Sequence, residues 1–167
     1  MKKEKTVPVL FSKRLSLREI TERDTDFIVS LRSNPDVYRF FIFPHQVTKE
    51  EHIKWYFDSY LYNENRLDWI AFSETGKAVG IFGVKRENKS ASDAEVSYIL
   101  SPDDYGKGYA SEAIERLIDF CKSEWKCNIV SAEIHQDNMK SIRFAEQLRF
   151  KKISQNGNFF RFERQID

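Results

Sequence analysis

Hydrophobic positions along the chain switch between a two-residue and a helical period. Leu15 and Leu17, with Ile20 behind them, alternate with polar residues as a first strand. Thr21 with Asp24 is a capping-box pair, and it predicts a helix carrying Phe27, Ile28 and Leu31 that ends near Asn34-Pro35. Thr48 with Glu51 repeats the signal for a helix bearing Ile53, Phe57, Tyr60 and Leu61. Trp69–Phe72 and Ala78–Lys85 read as antiparallel strands around a turn at Glu74–Lys77. A turn at Ser90–Asp93 leads into a strand over Glu95–Leu100. Ala113, Ile114, Leu117, Ile118, Cys121 and Trp125 then recur at helical spacing. Ile129–His135 is a strand, Met139–Leu148 a helix and Phe159–Phe162 a closing strand. The order β-α-α-β-β-β-α-β-α-β predicts an α+β domain whose sheet mixes antiparallel hairpins with one parallel crossover.

Composition narrows this picture. A length of 167 residues suits one domain over 1–167, and 41% hydrophobic with 32% charged residues suits a soluble protein. The net charge is +1 and Lys and Arg are dispersed among acids, so neither nucleic acid nor a membrane surface is an expected partner. No apolar run reaches the ~18 residues of a spanning helix. The basic start "MKKEKTVPVLF" lacks the apolar core of a signal peptide. Cys121 lies on an apolar helical face and reads as a buried thiol, in keeping with a reducing cytoplasm. No metal site is expected.

The stretch "PDDYGKGYASEA", residues 102–113, sits between a strand and a strongly amphipathic helix. A helix start offers unpaired N–H groups, and Gly106 and Gly108 would let that backbone approach an anion such as phosphate. An ordinary tight turn is the plain alternative. No Walker string G-x-x-x-x-G-K-[ST] occurs. A dinucleotide fingerprint matches only in part, since Ser111 stands at its sixth position and no second βαβαβ half follows.

"EVSYILSPDDYGKGYASEAIERLIDF" resembles the acetyl-CoA signature of the GNAT N-acetyltransferase superfamily, and "AEIHQDNMKSIRFAEQLRF" (residues 132–150) resembles its second signature. The resemblance spans roughly residues 14–164 and is nearest the branch of ribosomal-protein N-terminal acetyltransferases. It implies a mostly antiparallel sheet, flanked by helices, whose central strands start paired and splay apart. It further implies that backbone from about Asp104 to Ala110, including Tyr105, Gly106, Lys107, Gly108 and Tyr109, cradles the pyrophosphate of acetyl-CoA. Asn138 would hold the pantetheine arm, with a helix cap as its other reading. Backbone N–H groups near Ile99 and Leu100 would stabilise the oxyanion. Two departures stand out. Asp103, with Asp104 beside it, replaces the family's Gln or Arg at the loop entrance, and Arg149 replaces the glycine of the "LGF" turn.

The implied reaction is direct acetyl transfer to a neutral amine, which needs a base and benefits from an acid at the thiolate. Glu133 and Glu95, on the two splayed strands, are the candidate bases, and His135 is a third. The family's Tyr position, seven residues after Asn138, is Ala145, which turns attention to Ser141 as a donor to the sulfur. Residues 32–61 hold a dense run of aromatics. They read either as a Phe-rich core or as an acceptor pocket near Phe43, His45, Trp55 and Tyr56. The acceptor is a small-molecule or peptide amine. "RSNPDV" followed by "EEHIKW" also resembles enzymes that acetylate nucleotide-linked amino sugars. A non-catalytic acyl-CoA-binding module is the reading from a different class. Relatives of this kind are monomers or homodimers.

Overall fold

A computed structural model describes residues 1–167. Eight strands form one sheet: β1 (Leu10–Phe11), β2 (Ser16–Glu19), β3 (Arg66–Phe72), β4 (Ala78–Lys85), β5 (Asp93–Leu100), β6 (Ile129–His135), β7 (Lys151–Asn156) and β8 (Phe159–Gln165). Their order is β1-β2-β3-β4-β5-β6-β8-β7, and every neighbouring pair is antiparallel except β5–β6. The helices are α1 (Thr25–Arg32), α2 (Pro35–Tyr38), α3 (Lys49–Trp55), α4 (Tyr109–Ser123) and α5 (Met139–Gln147). The expected α+β architecture with a splayed centre is present. No helix is long and apolar enough to cross a membrane.

Caps behave as their residues predict. The Thr21 N–H donates to Asp24 Oδ2 at 2.8 Å, and Thr48 Oγ1 accepts from the Glu51 N–H at 3.1 Å. Asn34 Oδ1 accepts from the Asp36 N–H at 3.0 Å, which starts α2 beside Pro35. The helix expected through Leu61 is α3 followed by a π-helical turn over Tyr56–Tyr60. Its inner face is also different from the one expected. His52, Tyr56 and Tyr60 are buried, while Ile53 and Phe57 are exposed.

Side-chain alternation gives the sheet two unlike faces. One packs under α4 and α5 into a cluster of 27 buried residues that includes Trp69, Phe82, Val96, Ile114, Leu117 and Val130. The other lies under α1–α3, and its buried cluster holds only five residues, Ile20, Ile28, Tyr56, Tyr60 and Ile70. The apolar cover on that face is therefore incomplete, and the space left over becomes the site. Cys121 and Cys127 are both buried free thiols.

Two strands lack a signal in the sequence. β1 is only two residues long, and β7 ("KKISQN") is exposed at every position. β7 exists because the turn at Gly157 folds it back onto β8.

Arg149 follows α5 with φ of 66°, in the left-handed region, and its N–H donates to Glu146 O at 3.0 Å. A side chain costs energy there that a glycine avoids. Arg149→Gly is expected to raise the unfolding free energy by about 0.5–1 kcal/mol in urea titration, after the entropy lost to a freer unfolded chain is subtracted. An unchanged or lower midpoint would show that this turn carries no strain.

Candidate active site

The β5–β6 ladder ends early. Parallel pairing covers only Asp93↔Ile129, Ala94↔Val130 and Glu95↔Ser131, after which the strands part. Each strand stays paired along its outer edge, β5 with β4 and β6 with β8. Antiparallel alternation then fixes which backbone groups face the gap. The Ser101 N–H donates to Val79 O at 2.8 Å, so the odd-numbered residues of β5 bond toward β4. The N–H and C=O groups of Val96, Tyr98 and Leu100 consequently face β6. On β6, the Ile166 N–H donates to Asn128 O at 2.9 Å and the Gln136 N–H to Asn158 O at 2.7 Å, which turns Glu133 and His135 backbone toward β5. The gap is a wedge lined by unpaired strand backbone, a template for an extended amide-bearing chain. Of the two amides expected to face it, the register gives Leu100 and turns Ile99 toward β4.

The glycine loop closes the wide end. Gly106 has φ of 78° and Gly108 φ of 80°, both left-handed. A Cβ at Gly106 would meet nothing within 4 Å, so that backbone is open to a ligand, whereas at Gly108 it would lie 3.2 Å from Arg14 Nη2. Gly108 is the cap of α4, whose first amides stay free for an anion. Arg14 braces the loop from outside, donating through Nη1 to Lys107 O at 2.9 Å and pairing through Nε with Glu112 at 2.8 Å. Burial pushes the Glu112 carboxyl up, but bonds from Ser12 and from the Arg14 backbone and side chain outweigh it and leave the group below its usual range.

The two aspartates before the loop do not both face it. Asp104 is 1% exposed and is paired with Lys107 at 3.1 Å and Lys77 at 3.3 Å, while Asp103 is exposed to solvent. An unpaired buried carboxylate would cost several kcal/mol, and two lysines offset that. Paired in this way, Asp104 presents little net negative charge to the loop.

A cavity of about 790 Å³ runs from the wedge across the thinly covered sheet face. Glu95, Glu133, Ser97 and His135 line it from β5 and β6, and Arg66 and Asp68 line it from β3. Asp68 lies so close over Gly83 that a Cβ there would overlap its carboxylate. Burial first, then the charge of Glu95, raises the pKa of Glu133, and Arg161 at 3.5 Å holds it back in part. Glu95 pairs with Lys85 at 3.0 Å. Phe40, just past α2, packs its ring 5.6 Å from that of His135 and narrows the opening.

Ile99, Leu100, Tyr105, Asn138 and Ser141 line the cavity as well. Asn138 caps α5 by accepting from the Ser141 N–H at 3.3 Å. Of the four expected acceptor contacts, the cavity includes only Trp55. Phe43 is 79% exposed, and His45 forms a surface clasp, 2.9 Å from Glu51 and 2.8 Å from Phe43 O. Tyr56 is buried in the five-residue cluster. Arg32, His52, Asp68 and Tyr98 line the cavity without having been singled out in the sequence. Tyr98 was legible as an inward residue of β5; the others needed the fold. Its ring lies 4.9 Å from Phe144, and burial pushes its hydroxyl up to about 12, with Ser141 nearby opposing the shift.

A loop of open left-handed glycines at a helix start, beside a wedge of unpaired strand, defines a site for a phosphate-bearing, amide-rich arm. Residues 14–151 match a family model described as Acetyltransferase (GNAT) domain. The chain belongs to the GNAT acetyltransferase family and is an N-acetyltransferase that uses acetyl-CoA. The uncharacterized N-acetyltransferase p20 of Bacillus licheniformis is 29% identical over 146 residues, 86% of this chain and 82% of that protein. A domain from Methanocaldococcus jannaschii DSM 2661 has a TM-score of 0.81 at 28% identity, over 93% of this chain and 100% of that one. Spermidine N-acetyltransferase from Vibrio cholerae, solved with CoA and spermine, has a TM-score of 0.80 at 20% identity, over 90% of this chain and 95% of that one. At 20% identity the last likeness concerns the fold.

Gly106 is the cleaner probe of the loop, because its added side chain meets solvent and not Arg14. Gly106→Val is expected to weaken acetyl-CoA binding at least ~10-fold in calorimetry, which is ~1.4 kcal/mol. Unchanged affinity in a folded variant would make the loop a plain turn.

Proposed function

We propose that the chain acetylates a primary amine of a small molecule held under α1–α3, by direct attack with Glu133 as the base. The carrying observation is that Glu133 stands at the wedge and faces the cavity together with Glu95. Burial and the neighbouring carboxylate hold its proton affinity above that of a free glutamate, which suits removal of a proton from an ammonium. Acetyl-CoA supplies the acetyl group as a thioester. Gly106, Gly108 and the first turn of α4 hold its phosphates, and the Val96–Leu100 backbone holds its arm. The Leu100 N–H is the donor for charge growing on the carbonyl oxygen.

Ser141 is the proton donor toward the departing sulfur in this reading. Tyr98 supports it. Its hydroxyl stays protonated at neutral pH and lines the same cavity as Ser141, in a region where Ala145 leaves the α5 side without a phenol. A peptide N-terminus is the second reading for the acceptor, favoured by the Ser three residues after Asn138. The cavity beneath α1–α3, with Phe40 against His135 at its edge, supports the small-molecule reading over it. A mass-spectrometric acceptor screen over N-terminal peptides, amino sugars, polyamines and amino acids decides between them.

Glu133→Gln is expected to lower kcat ~10²-fold or more at neutral pH. The loss should shrink as pH rises and free amine becomes abundant. An equal loss at every pH would mean that Glu133 positions the acceptor, and no loss would move the base to Glu95 or to water.

Ser141→Ala is expected to cost roughly 10- to 100-fold in kcat, the value of ~1.5–3 kcal/mol for a hydrogen bond to a charged group, with acetyl-CoA affinity little changed. A thioester with a better leaving group should be hurt less. Weaker acetyl-CoA binding with kcat intact would make Ser141 a cofactor contact.

A further inference from the structure

The acceptor side of the cavity carries a cation that no group of the chain neutralises. Arg32 is the last residue of α1 and lines the cavity, its guanidinium 5.2 Å from the centre of the Phe41 ring. It makes neither an ion pair nor a hydrogen bond. The nearby carboxylate that counters its charge, Asp68, is already bonded to Arg66 at 2.9 Å. Burial, and then the charge of Arg66, weigh against the protonated guanidinium. Arg39 and Lys140 also line the cavity, but they are exposed and water can serve them. Asp36 lines the rim, is exposed and makes no ion pair.

A second observation points the same way. His52 is 3% exposed, lines the same cavity, and its Nε2 has no hydrogen-bond partner. A buried polar atom left unpaired costs about 1–3 kcal/mol, so one on a side chain that lines a cavity marks a place where a ligand atom would relieve that cost. Burial, and then Arg32, lower its pKa. A neutral imidazole can carry its proton on Nε2 and donate it. Arg32 and His52 thus present donors without acceptors, in a pocket whose aromatic wall is Trp55 and Phe41.

We propose that Arg32 and His52 form a subsite for an anionic group, a carboxylate or a phosphate, carried by the acceptor amine. This rests on the reading that the cavity holds the acceptor. The amine then lies toward Glu133 and Glu95 while its anionic end meets the guanidinium fork, which suits planar or tetrahedral oxyanions. The same arrangement disfavours a polycation, which would bring a second positive charge to a site already holding an uncompensated one.

The test uses the protein saturated with CoA, so that the glycine loop is occupied and does not report anion binding. Calorimetry compares two matched pairs, alanine against alaninamide and glucosamine 6-phosphate against glucosamine. The anionic member of at least one pair is expected to bind about 10-fold or more tightly, as for a charge-assisted hydrogen bond. The pair that discriminates tells carboxylate from phosphate. Arg32→Gln should abolish the preference, and Arg32→Lys, which keeps the charge and loses the fork, should leave part of it. Equal binding or no binding in both pairs, or a preference that survives Arg32→Gln, would overturn the subsite. Thiol release from acetyl-CoA with the same compounds reads the catalytic proposal separately. A charge preference without thiol release would leave the subsite standing and remove its acceptor role. Thiol release without a charge preference would remove the subsite and leave the reaction.

Discussion

The site depends on where one hydrogen-bond ladder stops. β5 and β6 share three register pairs and then separate, yet neither strand loses its outer partner. The outer pairing keeps both strands straight and ordered while their inner edges stand open. An exposed sheet edge is ordinarily a liability, because its free N–H and C=O groups seek a partner. Here the open edges belong to two strands of one sheet and face each other across a cavity, so the groups free to pair are turned toward a ligand. The glycine loop stands at the wide end of the wedge and the carboxylates of Glu95 and Glu133 at its side, so a ligand threaded through it would be aligned with both.

The remaining architecture serves that opening. The apolar load sits almost wholly on the α4 and α5 face, where the buried cluster holds rigid α4 behind the glycine loop. The opposite face carries too few apolar residues to close, and charged groups occupy it in pairs, Arg66 with Asp68, Lys85 with Glu95 and Arg161 with Glu133. Each pairing limits the cost of putting a charge in a partly dehydrated place. Arg32 and His52 break the pattern, and that break is what sets their environment apart from an ordinary polar face. The loop itself is held by charges that do not face the ligand, Asp104 between two lysines and Glu112 against Arg14.

Much of this was legible in the sequence. The period of apolar residues located α4, α5 and the central strands, and the paired glycines with Asn138 and Ser141 pointed to the loop and the start of α5 that border the wedge. The α1–α3 side of the cavity was not legible, for a physical reason. Helical periodicity assumes that apolar residues turn inward, but over this cavity α3 turns His52 in while Ile53 faces out. The aromatic richness of residues 32–61 pointed to Phe43, His45 and Tyr56, which the fold spends on surface and core. Arg32 and Asp68 come to line one cavity only through the fold, a proximity of distant residues that no local pattern encodes. β7 was invisible because a fully exposed edge strand needs no apolar alternation.

Hydrogen exchange along β5 is the most direct test of the central claim. Amides of Tyr98 and Leu100 are open toward the wedge, whereas those of Ser97 and Ile99 are bonded to β4 and that of Val96 is used in the last register pair with β6. The account predicts fast exchange at Tyr98 and Leu100 without ligand and marked slowing when acetyl-CoA is added, together with slowing over Gly106–Ala110. The amides of β2 and β3 should not change. If acetyl-CoA binds and the loop slows, but Tyr98 and Leu100 exchange as before, the wedge does not hold the arm and the account is contradicted.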